Sequence, residues 1–349
     1  MTVDTPAPAP ALPAPPDPAA APPVRWGILG PGGIARKFAR EVPARTASRV
    51  VAVGSRSADR AAAFAAEHGI EHSHGSYADL VADDDVDAVY VASPHSAHRD
   101  HALLALEAGK PVLVEKAFTR NAAEAREVFA AARARGLFAM EAMWSRFLPH
   151  QVALRAVVAS GELGEVLAVA ADHGQRLDQV ERLRAPQLAG GALLDLGVYP
   201  ISFTHSLLGP PAGVHAAGAL TDLGVDAHEA VTLTYADAHP RTVAVCTANM
   251  WARTPTTATV AGTEARIDVH SRFYAPSTFT VTATDGRAWR WTPSADAEPA
   301  GFEHEAAEVA RCLAEGRTES AVMPWQATLE VMETMDEVRR QLGVVYPGE

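Results

Sequence analysis

From residue 24 onward, short apolar runs alternate with longer segments whose apolar residues recur every three or four positions. That alternation predicts strands feeding into helices. Strands are expected over residues 24–29, 50–54, 88–92, 112–115 and 137–142, with helices over 35–42, 58–68, 98–108 and 121–135 and the end of a short helix at 79–82. Gly69, Gly109 and Gly136 stand where helix stops belong. Strands separated by helices of this length form a parallel sheet covered on both faces. Residues 24–145 therefore read as an α/β domain, a doubly wound Rossmann sheet.

Past residue 150 the rhythm changes. A helix (151–160) leads to a strand (166–172), a Gly190-Gly191 pair and an apolar segment ending at Leu208. Runs rich in β-branched residues follow, clearest over 231–235, 242–248, 256–261, 266–269 and 278–284, and Asp285-Gly286 marks a hairpin. Consecutive strands with short turns give a mainly antiparallel sheet, so residues 146–349 read as a second, α+β domain. Apolar residues on both sides of the 242–248 run suggest burial of both faces there. Two terminal helices, 303–314 and 325–342, are expected to pack back on the first domain; Leu329, Met332 and Met335 form a core stripe.

Composition narrows the function classes. The 349 residues carry a formal charge of -12, which argues against a nucleic-acid partner. No run of about twenty apolar residues suggests a membrane span. Residues 1–23, nearly all Ala and Pro, lack the features of a signal peptide and are expected to be a disordered tail. Two distant cysteines, Cys246 and Cys312, fit a reducing, cytoplasmic setting, although they could in principle pair. No metal site is expected: among 14 histidines, the close pairs His72/His74 and His95/His98 read as solvated loops.

Gly30-x-Gly32-Gly33-Ile34-Ala35 lies between a strand and a helix. Its first glycine permits the tight turn, its second admits a pyrophosphate, and the small residue at 35 lets helix and strand pack. The helix N-terminus offers N–H groups to phosphates. About twenty residues on, a NAD enzyme places an acid on the ribose; here the chain reads Gly54-Ser55-Arg56-Ser57. A guanidinium and two hydroxyls in place of that acid point to NADP, with NAD disfavoured.

Glu115-Lys116 closes a strand at the carboxyl edge of the sheet, where ligands of such folds bind. A lysine there can hold an oxygen and exchange a proton, but spacing alone equally allows a surface lysine. Asp195 and Tyr199, four apart, share one face of a helix, with Pro200 marking a break or restart. They read either as site residues or as a capping aspartate and a core tyrosine.

These motifs together with Ser93-Pro94-His95-Ser96-Ala97-His98 and Asp195-Leu-Gly-Val-Tyr199-Pro resemble the glucose-fructose oxidoreductase/inositol dehydrogenase/rhizopine-catabolism (Gfo/Idh/MocA) family, from about Val24 to the end of the chain. The 140–149 and 301–305 segments are most similar to its dihydrodiol dehydrogenase and NADP-xylose dehydrogenase branch. The resemblance implies an open, mainly antiparallel C-terminal sheet, a homodimer, and Lys116 as the central catalytic lysine. It implies Tyr199 as acid/base, Asp195 on the substrate hydroxyls, and Trp144 and Arg182 near the substrate, Arg184 competing with Arg182. Glu115 falls in the same cofactor-side motif, and Pro94 and His98 would lie near the nicotinamide. One departure is Ala117, where the family commonly has proline. The reading is an NADP-dependent dehydrogenase acting on CH–OH groups of a sugar, polyol or cyclic diol. The alternatives are another sugar or inositol dehydrogenase and a non-catalytic NADP-binding sensor.

Overall fold

The computed structural model describes residues 7–236, 239–293 and 301–349. The chain divides into two compact units. One comprises residues 16–144 and 300–332; the other comprises residues 1–15, 145–299 and 333–349. The first two-residue strand, β1 (Ala7–Pro8), belongs to the second of these.

The nucleotide-binding-type unit runs β2 (Arg25–Leu29), α1 (Gly33–Arg45), β3 (Arg49–Gly54), α2 (Ala58–His68), β4 (His72–His74), α3 (Tyr77–Val81), β5 (Ala88–Val91), α4 (His98–Glu107), β6 (Val112–Glu115), α5 (Ala122–Arg135) and β7 (Ala139–Ala142). Its sheet order is β4-β3-β2-β5-β6-β7, all parallel. The order reverses between β2 and β5, so the carboxyl ends of these two strands form the switch point at which such sheets bind ligands. Strands β5, β6 and β7 are buried throughout, which is why they read as apolar runs, interrupted only by Glu115 and Glu141. Phe38 of α1 stacks on Tyr90 and meets the edge of Trp26, locking the helix after the glycine turn onto the sheet.

The other unit contains α6 (Pro149–Ala159), β8 (Val166–Gly174), α7 (Glu181–Arg184) and α8 (Val198–Leu208), then β9 (Gly213–Leu220), β10 (Asp226–Thr234), β11 (Val243–Asn249), β12 (Ala258–Gly262), β13 (Ala265–Val269), β14 (Phe279–Ala283) and β15 (Ala288–Trp291). Nine strands order as β1-β15-β14-β13-β12-β8-β11-β10-β9, antiparallel except at β8/β11 and β1/β15. One face is buried; on the other, Val243 and Val245 are 43% and 41% exposed, so burial of both faces of β11 is not found within the chain. Of the terminal helices, α9 (Phe302–Ala314) packs on α1, and α10 (Trp325–Leu342) passes from one unit's residues to the other's at position 332.

The expected disordered tail is not what the chain does over residues 7–23. Ala7–Pro8 pairs with Trp289 and Arg290 of β15. Asp17 caps a helical turn at Pro18–Ala20, Arg311 donates to the Pro16 and Asp17 carbonyls, and Ala21 is buried. Proline already restricts the backbone, so docking such a segment costs little further entropy, and its carbonyls still accept hydrogen bonds. Residues 1–6 lie outside the described ones.

A second difference concerns Pro200. No break occurs there; a π-helical turn, Leu193–Gly197, runs directly into α8. An α-helix would pair Leu196 O with the N–H of residue 200, which proline lacks. The chain lengthens the turn instead: Val198 N–H reaches Leu193 O, and Leu196 O accepts from His173 Nδ1 at 3.2 Å.

Two acids lie buried beneath this turn. Asp226 accepts the Leu193 N–H on Oδ2, whereas its Oδ1 and both Glu229 oxygens have no hydrogen-bond partner among the described residues. A Cβ on Gly197 would come within 2.8 Å of Glu229 Oε1, so only glycine lets the turn sit this close. Burial pushes the Asp226 carboxyl up to about 6, against its backbone N–H bonds. Burial, then the Asp226 charge, raises Glu229 well above the usual carboxylate range.

A carboxyl whose folded pKa is raised stabilises the fold while protonated. That contribution is complete below its unfolded value near 4 and is lost as pH rises through about 6. At about 1.4 kcal/mol per pKa unit, Asp226 should account for roughly 3 kcal/mol of lost stability between about pH 4 and about pH 8. Asp226→Asn keeps the acceptor for Leu193 and should show a correspondingly shallower pH dependence in guanidinium denaturation. An unchanged pH slope in the variant would show that Asp226 does not titrate in this way.

Candidate active site

In the first unit, the turn between β2 and α1 is built for a close-approaching anion. Gly30 has φ +101°, and a Cβ there would lie 3.1 Å from Ala92 O. The Gly30 N–H donates to Gly54 O, tying this turn to the end of β3. At Gly33 a Cβ would point into open space, and no side chain caps the helix at Gly32. The N–H groups of Gly33, Ile34 and Ala35 thus head a helix with no competing capping group, while buried Ala35 lets it pack close.

Ser55 follows β3 and is buried; its Oγ accepts from Ser57 N at 3.2 Å, and Ser57 caps α2. Arg56 between them is exposed. The nearest carboxylate along this turn is Asp59, already in the first turn of α2. The turn fits an additional phosphate better than a bare ribose hydroxyl.

Lys116 is half-buried at the end of β6, and the backbone following it is fixed from several sides. His95 Nε2 lies 3.3 Å from Lys116 O; His98 Nδ1 lies 2.9 Å from Ala117 O and its Nε2 2.7 Å from Ser93 O. The Phe118 N–H donates to Glu141 Oε1 at 3.1 Å, and Thr328 donates to the other Glu141 oxygen. His98 is fully buried, and burial holds its pKa below the usual histidine value despite the carbonyls around it. His95 and His98 are therefore buried supports, not solvated loop residues. The Lys116–Ala117 peptide is cis, with Ala117 fully buried. Pro94 is exposed at the head of the His95–Ala97 turn.

Carboxylates crowd behind this segment. Buried Glu115 accepts from the Tyr90 hydroxyl. Glu305 of α9 is fully buried, and neither of its oxygens has a hydrogen-bond partner among the described residues. Burial, then Glu115, Glu303 and Glu141, raises its pKa well above the usual range. Sequence reasoning missed Glu141 and Glu305 in this role: Glu141 stands alone in an apolar run and Glu305 among the charged positions that open α9, and neither setting shows a partner. Trp144 closes the unit's chain in this region, stacked on Phe302 at 5.2 Å and 4°.

In the second unit, the π turn carries Asp195 and leads to Tyr199. Arg182 binds Asp195 with both terminal nitrogens, Nη1 to Oδ1 at 3.0 Å and Nη2 to Oδ2 at 3.2 Å. Arg182, rather than Arg184, makes this two-pronged pair, whose carboxylate is 9% and guanidinium 48% exposed. Tyr199 packs in an aromatic cluster with Tyr274 (4.6 Å) and His173 (5.3 Å). His173 stacks on Tyr274, donates to Leu196 O through Nδ1, and lies 2.7 Å from Gln175 Nε2. Gln175 also donates to the Tyr274 hydroxyl at 3.0 Å. His173, Gln175 and Tyr274 are further members that no sequence motif marked; the histidine at the end of a strand was their only signal.

Comparison with known proteins agrees with these features. Residues 24–143 match the oxidoreductase family with an NAD-binding Rossmann fold, and residues 152–268 match the GFO/IDH/MocA C-terminal domain. D-xylose 1-dehydrogenase (NADP(+)) of Hypocrea jecorina is 37% identical, over 93% of this chain and 93% of its own. Trans-1,2-dihydrobenzene-1,2-diol dehydrogenase of Homo sapiens is 35% identical, over 93% of this chain and 99% of its own. Among solved structures, a 3-ketoreductase from Actinomadura kijaniata in complex with NADP and TDP-benzene superimposes with a TM-score of 0.79 at 29% identity, covering 91% of this chain and 98% of that one. Both family matches and the relatives' identity over most of the chain show that this chain belongs to the GFO/IDH/MocA oxidoreductases.

Proposed function

We propose that this oxidoreductase uses NADP(H) to interconvert a carbinol and a carbonyl carbon in a sugar, polyol or cyclic diol. The observation that carries the reading is Lys116, half-buried at the carboxyl end of a parallel sheet, its backbone pinned by His95, His98 and Glu141. The xylose dehydrogenase, dihydrobenzenediol dehydrogenase and 3-ketoreductase activities named for the relatives support the substrate class.

NADP(H), when bound, would supply or accept the hydride. Gly30, Gly32, Gly33, Ile34 and Ala35 would hold the pyrophosphate, and Ser55 and Arg56 the 2′-phosphate. Pro94 would lie on the nicotinamide side. Glu115 and His98 act at one remove, because their polar atoms engage Tyr90, Ala117 and Ser93 and so set where Lys116 stands. Lys116 holds the reacting oxygen, and Tyr199 moves its proton. Asp195, kept in orientation by Arg182, would accept from a substrate hydroxyl, and Trp144 would offer the substrate an apolar face.

The protein is further proposed to be a cytoplasmic homodimer. Its two cysteines are free and buried, and no helix among the described residues is long and apolar enough to cross a membrane. The exposed Val243 and Val245 lie on a sheet face that a second copy would cover. Light scattering at micromolar concentration should give twice the chain mass, and Val245→Glu should shift it to the monomer. A monomeric parent protein would end this idea.

Arg56→Ala should raise the Michaelis constant for NADP at least about tenfold, the scale of one charge-assisted pair, and leave that for NAD nearly unchanged. Equal changes for both cofactors would remove Arg56 from the phosphate site.

Lys116→Met should lower turnover at least about a hundredfold with a polyol and aldose panel, while NADP affinity stays within a few-fold. Tyr199→Phe should lower turnover on a similar scale, and the double variant should lose less than the product of the two. Normal turnover in a folded Lys116→Met protein would overturn the mechanism.

A further inference from the structure

His72 and His74 are not loop residues. They occupy the edge strand β4, paired with Ala52 and Gly54 of β3. Residues two apart on a strand point to the same face, so the two imidazoles stand side by side. Asp83, just past α3, reaches both: its Oδ2 lies 2.7 Å from His72 Nδ1 and 2.9 Å from His74 Nε2. All three ligand atoms lie within 4.8 Å of one another.

The surroundings hold this triad in place. Lys110 Nζ donates to the Asp83 and Val86 carbonyls at 2.9 and 2.7 Å, fixing the backbone around the aspartate. Asp83 Oδ1 is occupied by the Asp85 N–H, leaving Oδ2 for the two rings, and its side chain is only 8% exposed. Asp85 Oδ2 stands 4.0 Å from the other nitrogen of His72, Nε2. A histidine that binds a metal through Nδ1 carries its proton on Nε2, and metal-bound histidines commonly give that proton to a carboxylate. Asp85, 4.0 Å away, would have to swing in to accept it.

We infer that His72 Nδ1, His74 Nε2 and Asp83 Oδ2 form a binding site for a divalent transition ion of the zinc class. Two imidazoles and one carboxylate are the ligand set such ions take, whereas magnesium and calcium want mainly oxygen. Bond lengths of about 2.0–2.2 Å around a tetrahedral ion require ligand atoms roughly 3.3–3.5 Å apart. The contacts of 2.7 and 2.9 Å to Asp83 need to open by about 0.4–0.8 Å, within reach of side-chain rotation, and water would complete the shell. The ion would clip the sheet's edge strand to the turn after α3. His74 also accepts the Ser55 N–H on its carbonyl at 3.1 Å, so the clip adjoins the turn that carries Arg56.

The test is zinc chloride titrated calorimetrically into the full-length, chelator-treated protein, with metal content measured after gel filtration. One zinc per chain is expected, bound at about 10 μM or tighter, with a rise in melting temperature and no comparable response to magnesium. Asp83→Asn retains a hydrogen-bond acceptor for the histidines and should weaken zinc binding at least about tenfold, with unchanged circular dichroism. His72→Gln combined with His74→Gln should abolish stoichiometric binding. No zinc retained by the parent protein, or equal binding in the double variant, would overturn the assignment.

Discussion

Every strand of a parallel sheet ends in backbone groups that the sheet itself no longer pairs, and in this protein the ligand-side turns are shaped by how those groups are satisfied. Gly30 N–H takes Gly54 O, Ser55 N–H takes His74 O, and Ala92 N–H takes Leu29 O. After β6, where no strand continues, side chains take over: His98 reaches Ala117 O, and Glu141 accepts the Phe118 N–H. The position of Lys116 is a consequence of this tying-off, since its neighbours on the chain cannot move without orphaning a buried polar group. The same accounting explains the other unit, where proline leaves Leu196 O without its helical partner and His173 supplies one. His173 is thereby fixed at the centre of the ring cluster that seats Tyr199.

Against this well-satisfied backbone stand Asp226 and Glu229 beneath the π turn and Glu305 behind the Lys116 segment, each with an oxygen that finds no hydrogen-bond partner among the described residues. Burying an ionised carboxylate without a partner is far more costly than keeping it protonated, so these groups stay neutral over an unusual pH range. Each lies under a segment carrying a residue assigned to the chemistry. A neutral acid in that position adds no net charge to the site above it. Their placement also limits substitution nearby, as at Gly197, where any side chain would meet Glu229.

Arg182 and Asp195 illustrate a different solution. The aspartate is buried and the arginine half-exposed, and the two-pronged pair holds both carboxylate oxygens in one plane. An oxygen presented in this way keeps acceptor capacity for a further hydroxyl, which suits a polyhydroxylated substrate better than an apolar one.

The amino-acid sequence by itself determined the strand and helix succession of the parallel unit apart from the edge strand β4, the helix stops at Gly69 and Gly136, the glycine turn at 30–35 and the base-for-acid exchange at Arg56. These depend on local preferences: period, turn chemistry and the conformational freedom of glycine all act within a few residues. The π turn at 193–197, the docking of residues 7–23, the placing of Glu141 and Glu305, and the meeting of His72, His74 and Asp83 were decided only by tertiary structure. Each depends on a partner nine to nearly three hundred residues away, as with Asp83 for His74 and Arg311 for Pro16 and Asp17. A side chain's type states which bonds it can make; only the fold, by bringing distant groups to within about 3 Å, decides which of them it does make.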